Sequence, residues 1–232
     1  MVKKNVLPTY TLSEELINSI SHGIGTALSI TALVLCVVQA ALHGNAWGVV
    51  SSCVYGASLI ILYCMSTLYH AITNKTARTV FRVFDHTSIF FLIAGTYTPI
   101  TLVTLNGALG WTMFGIVWGA AVLGIVLNSI SIEKFKKFSM ICYIGMGWAA
   151  IIGIKSIFQN LPAKGFVLLI LGGVLYTVGI IFYALKKFKY MHCVWHFFVL
   201  AGSILHFFCI YLYVLPVRQL YLSVNYITTV FS

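Results

Sequence analysis

The chain has 232 residues, of which 60% are hydrophobic and 8% charged, against roughly 25% charged in soluble domains. That balance excludes a soluble globular fold. The net charge of +10 does not indicate nucleic acid, because the basic residues lie in short clusters between long apolar runs and form no basic-aromatic pattern.

Residues 1–19 form a short polar lead-in. Met1 to Ser13 holds two lysines but no apolar core with a small-residue cleavage site, so the first span is expected to act as the insertion signal. No Lys or Arg occurs from Asn5 to Asn74, and about 20 apolar residues make one bilayer-spanning helix. Span one is expected from Ile20 to Leu42, stopped by His43-Gly44-Asn45, and span two from Trp47 to His70. Span three runs from Phe84 to Leu105, ending at Asn106-Gly107, and span four from Leu109 to Ile130. Span five covers Phe138 to Phe158, before Asn160 and Pro162, and span six covers Gly165 to Leu185. Span seven covers His192 to Leu215, closed by Pro216. The reading is an all-α membrane protein: a seven-helix transmembrane domain over 20–215 with a short tail at 216–232.

Charge sets the direction. Lys3, Lys4, Lys75, Arg78, Arg82, Lys134, Lys136, Lys137, Lys186, Lys187 and Lys189 fall on one side of such a bundle, and only Lys155, Lys164 and Arg218 on the other. The positive-inside rule then predicts a cytoplasmic N-terminus and an outside C-terminus, opposite to the G-protein-coupled receptors. The six cysteines form no C-x-x-C pair and read as small buried hydrophobes.

Topology gathers polar residues in one layer. His22 begins span one, His70 ends span two, Asp85 and His86 begin span three, and His192 and His196 begin span seven. His192 and His196 are one turn apart on one helix face, a spacing that can offer two nitrogens to one ion. Together with His70 they make three nitrogen donors, the number found with one water in catalytic zinc sites, although histidine sites also take copper, nickel or iron. Asp85, the only aspartate, either serves a metal-associated water or pairs with Arg82 or Arg78. Ser66, one turn deeper than His70, bonds either a substrate carbonyl or its own i−4 carbonyl. Glu14 and Glu15 suit the positive end of the first helix. Asn18 and His22, also i and i+4, make either a polar interfacial turn or, with Glu15, a second layer or lid around the metal. His206 lies about 15 Å further along span seven than His196, near mid-membrane.

These residues, in this order, resemble the hemolysin III family, the bacterial branch of the progestin and adipoQ receptors. The first motif is Glu14-Glu15-Leu16-Ile17-Asn18-Ser19-Ile20-Ser21-His22-Gly23. The second is Ser66-Thr67-Leu68-Tyr69-His70, followed by Phe84-Asp85-His86 and Ala94-Gly95-Thr96-Tyr97-Thr98-Pro99. The third is His192-Cys193-Val194-Trp195-His196, followed by Ala201-Gly202-Ser203-Ile204-Leu205-His206-Phe207. The resemblance covers Glu14 to about Val214. It implies a multi-pass protein of the bacterial plasma membrane with zinc held by His70, His192 and His196, Asp85 contacting the zinc-bound water and Ser66 nearby. The wider superfamily includes alkaline ceramidases, so it also implies hydrolysis of a lipid amide, with a membrane lipid as substrate. Receptor-type relatives carry a longer region before the first motif, and many have proline where Leu16 stands, so a receptor function is not carried over. Two other readings stay open: a cytolytic pore, and a non-catalytic membrane-homeostasis protein with structural zinc. Small residues at Gly119, Ala120, Ala121, Gly124, Gly172 and Gly173 permit close helix packing within or between chains, and leave the oligomeric state undetermined.

Overall fold

The computed structural model describes residues 7–185 and 188–216. Among these, seven helical segments are long and apolar enough to cross a membrane. Helix α1 (Leu12–His43) is the first span and α2 (Ala46–Ala71) the second. The third is α3 (Lys75–Pro99), continued by a π-helical turn over Ile100–Leu105. The fourth is α4 (Gly107–Ile130). The fifth is broken into α5 (Ile132–Gly147), a 3₁₀ segment (Ala149–Gly153) and α6 (Ile154–Asn160). The sixth is α7 (Ala163–Ala184). The seventh is α8 (Met191–Cys209), with a π-helical turn over Ile210–Val214. Lys3, Lys4, Lys186, Lys187, Arg218 and the tail beyond Pro216 lie outside the described residues.

The helices begin earlier than the apolar runs do, because capping residues set their starts. The Glu14 backbone N–H donates to Thr11 Oγ1 at 3.4 Å and the Thr11 N–H donates to Glu14 Oε2 at 2.9 Å, a reciprocal cap that starts α1 at Leu12 and not near Ile20. Asn74 accepts from the Ala77 N–H, so α3 starts at Lys75 and carries Arg78 and Arg82 on its opening turns. Ser131 likewise caps α5, which takes in Lys134, Lys136 and Lys137. The basic residues of α3 and α5 therefore sit on helical ends, where a long side chain can reach water while its stem stays in an apolar layer.

Spans one, two and three pack side by side, with span four against three, and span seven closes back on one. Small residues allow the approach: Gly25 faces the Tyr63 ring, Gly56 faces Leu33 and Gly124 faces Phe90. Helix α5 leans on α3 and α4, α7 leans on α8, and span five meets span six chiefly through α6. Span three is the most buried of the seven and span six the least. Large apolar side chains such as Ile20, Leu28, Val126, Ile141 and Ile181 are exposed around the outside, as an apolar solvent requires. This corrects the reading of all six cysteines as buried. Cys36, Cys193 and Cys209 are, Cys64 and Cys142 are half-buried and Cys53 is exposed, because the outer face of a membrane helix is as apolar as its core.

Candidate metal centre

Three imidazoles meet at one end of the bundle. His70 sits in the last turn of α2, and His192 and His196 sit in the first turns of α8; all three are buried. His192 Nε2 lies 3.3 Å from His70 Nε2 and 3.2 Å from His196 Nε2. Hydrogen bonding alone serves this cluster poorly. An imidazole nitrogen either carries a proton or offers a lone pair, so the central Nε2 cannot donate to one neighbour while accepting from the other. The group can hold a metal ion, and among the described residues no fourth His, Cys, Asp or Glu joins it.

Glu15 controls the outermost member. Its Oε2 accepts from His70 Nδ1 at 2.6 Å, and its Oε1 accepts from the Arg78 guanidinium. With the Nδ1 proton held by a carboxylate, His70 Nε2 is left as a lone pair facing its partners. Glu14, the adjacent acid, caps α1 and accepts from the Tyr190 backbone N–H at 2.8 Å. Two neighbouring acids that both suit the helix dipole are thus divided: Glu14 ties the starts of α1 and α8 together, and Glu15, the one also expected in a layer around the metal, reaches His70.

Asp85 is buried beside the cluster, with His86, His70 and Ser66 as polar neighbours, and its Oδ2 is 3.3 Å from His86 Nδ1. The alternative pairing with arginine does not form. Arg82 bonds Glu133 at 2.7 Å and Arg78 bonds Glu15. Ser66 makes no bond to the carbonyl of the preceding turn, and its buried hydroxyl neighbours the Asp85 carboxylate. Asn18 and His22 are buried behind His196. The His22 ring stacks on His196 with centroids 3.7 Å apart and planes 16° apart, while the Asn18 main chain borders His196. The side-chain amide of Asn18 has no protein hydrogen-bond partner, and buried atoms of that kind are served by water or ligand, while the His22 ring borders the His196 main chain. Cys193 turns away and its thiol lies 3.7 Å from the Glu14 carbonyl oxygen, so it is not part of the group.

One residue near the centre carries no signal in the sequence. Tyr10, just before α1, stacks on His192 with centroids 5.0 Å apart and planes 21° apart, and lies 5.6 Å from His70. Burial raises its phenol well above the ordinary value, and Tyr69, Tyr183 and Asp85 add to the effect, so it stands as a neutral hydroxyl. The contact spans almost the whole chain in sequence, and no local spacing encodes it.

A cavity of about 120 Å³ runs inward from this layer. His22 and Asp85 line its near end, and Thr96, Tyr97, Trp148 and His206 its deeper part, with Met140, Ile144 and Ile180 along the side where α5 and α7 lean apart.

Fold and site together define a multi-pass membrane protein with a buried three-histidine cluster at one end of a seven-helix bundle. The profile of the family described as "Haemolysin-III related" matches residues 10–207, and the chain belongs to that family. It is 46% identical to "Hemolysin-3" of Bacillus cereus over 216 residues, covering 93% of this chain and 99% of the relative. It is 46% identical to the "Hemolysin-3 homolog" of Bacillus subtilis (strain 168) over 208 residues, 90% of this chain and 98% of the relative. A more distant likeness, 27% over 209 residues, is to the human "Monocyte to macrophage differentiation factor", covering 88% of this chain and 85% of the relative.

Proposed function

We propose that the chain is a zinc-dependent hydrolase of a membrane lipid, acting on an amide bond near the cytoplasmic face. The observation that carries this reading is the convergence of three Nε2 atoms at 3.2 and 3.3 Å beside a carboxylate that no arginine claims. Tetrahedral bonds of about 2.0–2.1 Å set neighbouring ligand nitrogens about 3.3–3.4 Å apart, so the spacing suits zinc. Three protein donors leave a position open, which favours catalysis over a purely structural ion.

When bound, zinc would polarise a carbonyl and bring the pKa of water toward about 7. Asp85 would take the proton of the attacking water and return it to the leaving nitrogen as the carbon–nitrogen bond breaks. Ser66, beside Asp85, would donate to the carbonyl oxygen of the substrate. Glu15 would hold His70 in the ligating tautomer. The cavity beyond Asp85 would take the hydrocarbon chain. The eleven-to-three division of basic residues supports placing this end in the cytoplasm.

Cytolysis, the activity in the relatives' names, is the second reading. A pore needs polar groups along its whole depth. Here all four carboxylates, Glu14, Glu15, Asp85 and Glu133, lie near the histidine end, which supports a site over a channel.

The test is metal content per chain of detergent-purified protein prepared without chelators, followed by a lipid-amide hydrolysis screen. Near-stoichiometric zinc and release of fatty acid, both lost in His196→Ala with the fold retained, are expected. A metal-free wild type would overturn the reading.

A further inference from the structure

Residues 7–11, just ahead of α1, pass over the triad at its end of the bundle. Tyr10 covers the His192 ring face to face and touches His70. Its position is fixed from both directions. Glu14 receives the Thr11 N–H at 2.9 Å through Oε2 and the Tyr190 N–H at 2.8 Å through Oε1, joining the segment to the start of α8. Ser13 Oγ and Tyr190 Oη add a 3.2 Å hydrogen bond. Tyr190 is one of two non-glycine residues in the left-handed region among the described residues, at φ 63°, and this conformation presents its N–H to Glu14.

Outside this contact is a pocket of about 500 Å³, lined by Tyr10, Thr11, Glu14, Phe188, Lys189 and His192. His70 and His196 do not line it. The Tyr10–His192 pair therefore stands between an aqueous pocket and the rest of the cluster. The apolar cavity meets the same layer from within the bundle, at Asp85 and His22.

We infer that Tyr10 is a positioning residue of the metal centre, whose ring seats the His192 imidazole and closes the centre toward the aqueous pocket. The inference builds on the metal-centre reading above. The hydroxyl is not what the contact uses; the ring face is. Ions and polar reagents entering from that pocket meet Tyr10 and His192 before His70 or His196, whereas a lipid chain would reach Asp85 through the cavity.

The experiment uses the full chain in detergent, as wild type, Tyr10→Phe and Tyr10→Ala. It follows the rate at which a chelator strips zinc and, in parallel, the rate of diethyl pyrocarbonate labelling of His192 read by mass spectrometry. Loss of an aromatic pair worth about 0.5–1.5 kcal/mol should speed zinc loss in Tyr10→Ala by about two- to twelvefold. Labelling of His192 should also rise, and Tyr10→Phe should match wild type in both. Equal rates in Tyr10→Ala and wild type would overturn the inference, as would a Tyr10→Phe that behaves like Tyr10→Ala. A wild type that carries no metal would defeat the hydrolase reading alone. The labelling rates would then decide Tyr10: faster in Tyr10→Ala upholds the closure, unchanged overturns it. Should Tyr10→Ala fail to fold, Glu14→Gln loosens the same segment. Faster His192 labelling there supports the inference and an unchanged rate overturns it.

Discussion

Helix α8 buries histidines in two places, and they have different fates. At its start, His192 and His196 face His70 across the gap to α2. Deeper in the same helix, His206 donates from Nε2 to the Leu169 carbonyl at 3.1 Å, against Gly172, which leaves room for its ring. Residue type, helix and burial are alike. What differs is the neighbour: α2 brings a third imidazole and a carboxylate-held tautomer to the first region, and α7 brings a backbone carbonyl to the second. A buried histidine becomes a candidate ligand only when another helix delivers a second lone pair to the same point.

The largest effect expected is at the first region. His196→Ala should remove zinc from the purified protein, as elemental analysis would show, while His206→Ala should leave the metal content unchanged. Metal loss in both variants would break the comparison. Asp85→Asn comes next. Hydrolysis should fall by about 10²–10⁴-fold, the usual worth of a general base, with zinc retained. Retained activity would place the proton acceptor elsewhere.

Glu15→Gln sharpens the role of the tautomer. Losing the carboxylate behind a ligating histidine typically costs about 10–100-fold in metal affinity, so competition with a zinc chelator should show a weakened site whose ligands are intact. Because Glu15 also holds Arg78, Arg78→Ala is the control, and it should weaken binding less. The smallest effect belongs to the second region. His206→Leu removes one buried hydrogen bond, and about 1–3 kcal/mol of stability should be lost. Thermal unfolding in detergent should shift downward while zinc content stays at the wild-type level. Unchanged unfolding would show the Leu169 bond to be dispensable.

The comparison also marks the reach of sequence reasoning. Seven spans were legible because the apolar runs are long and each break carries turn residues or charge. The convergence of His22, His70, Asp85, His192 and His196 followed from alternating direction alone. Helix starts were less legible. The cap formed by Thr11 and Glu14 extends α1 into a stretch whose hydropathy reads as lead-in, and Asn74 does the same for α3. Capping is a matter of a few hydrogen bonds and leaves hydropathy untouched. The sequence offered Glu15 as part of a layer around the metal, but the tie from Glu14 to Tyr190 had no local signal, because adjacent positions on a helix point about 100° apart and meet different neighbours.

By itself, then, the sequence determined the membrane class, the count of spans and the layer in which the ionisable groups lie. These depend on hydrophobicity and alternation, which are properties of the chain in order. Only the tertiary structure decided which groups touch. It gave Arg78 to Glu15 and Arg82 to Glu133, leaving Asp85 with no arginine partner. It set three Nε2 atoms facing one another, and it laid Tyr10 over His192. Those contacts join residues far apart in the chain across distances of a few ångströms, and packing between helices sets such distances where local spacing cannot.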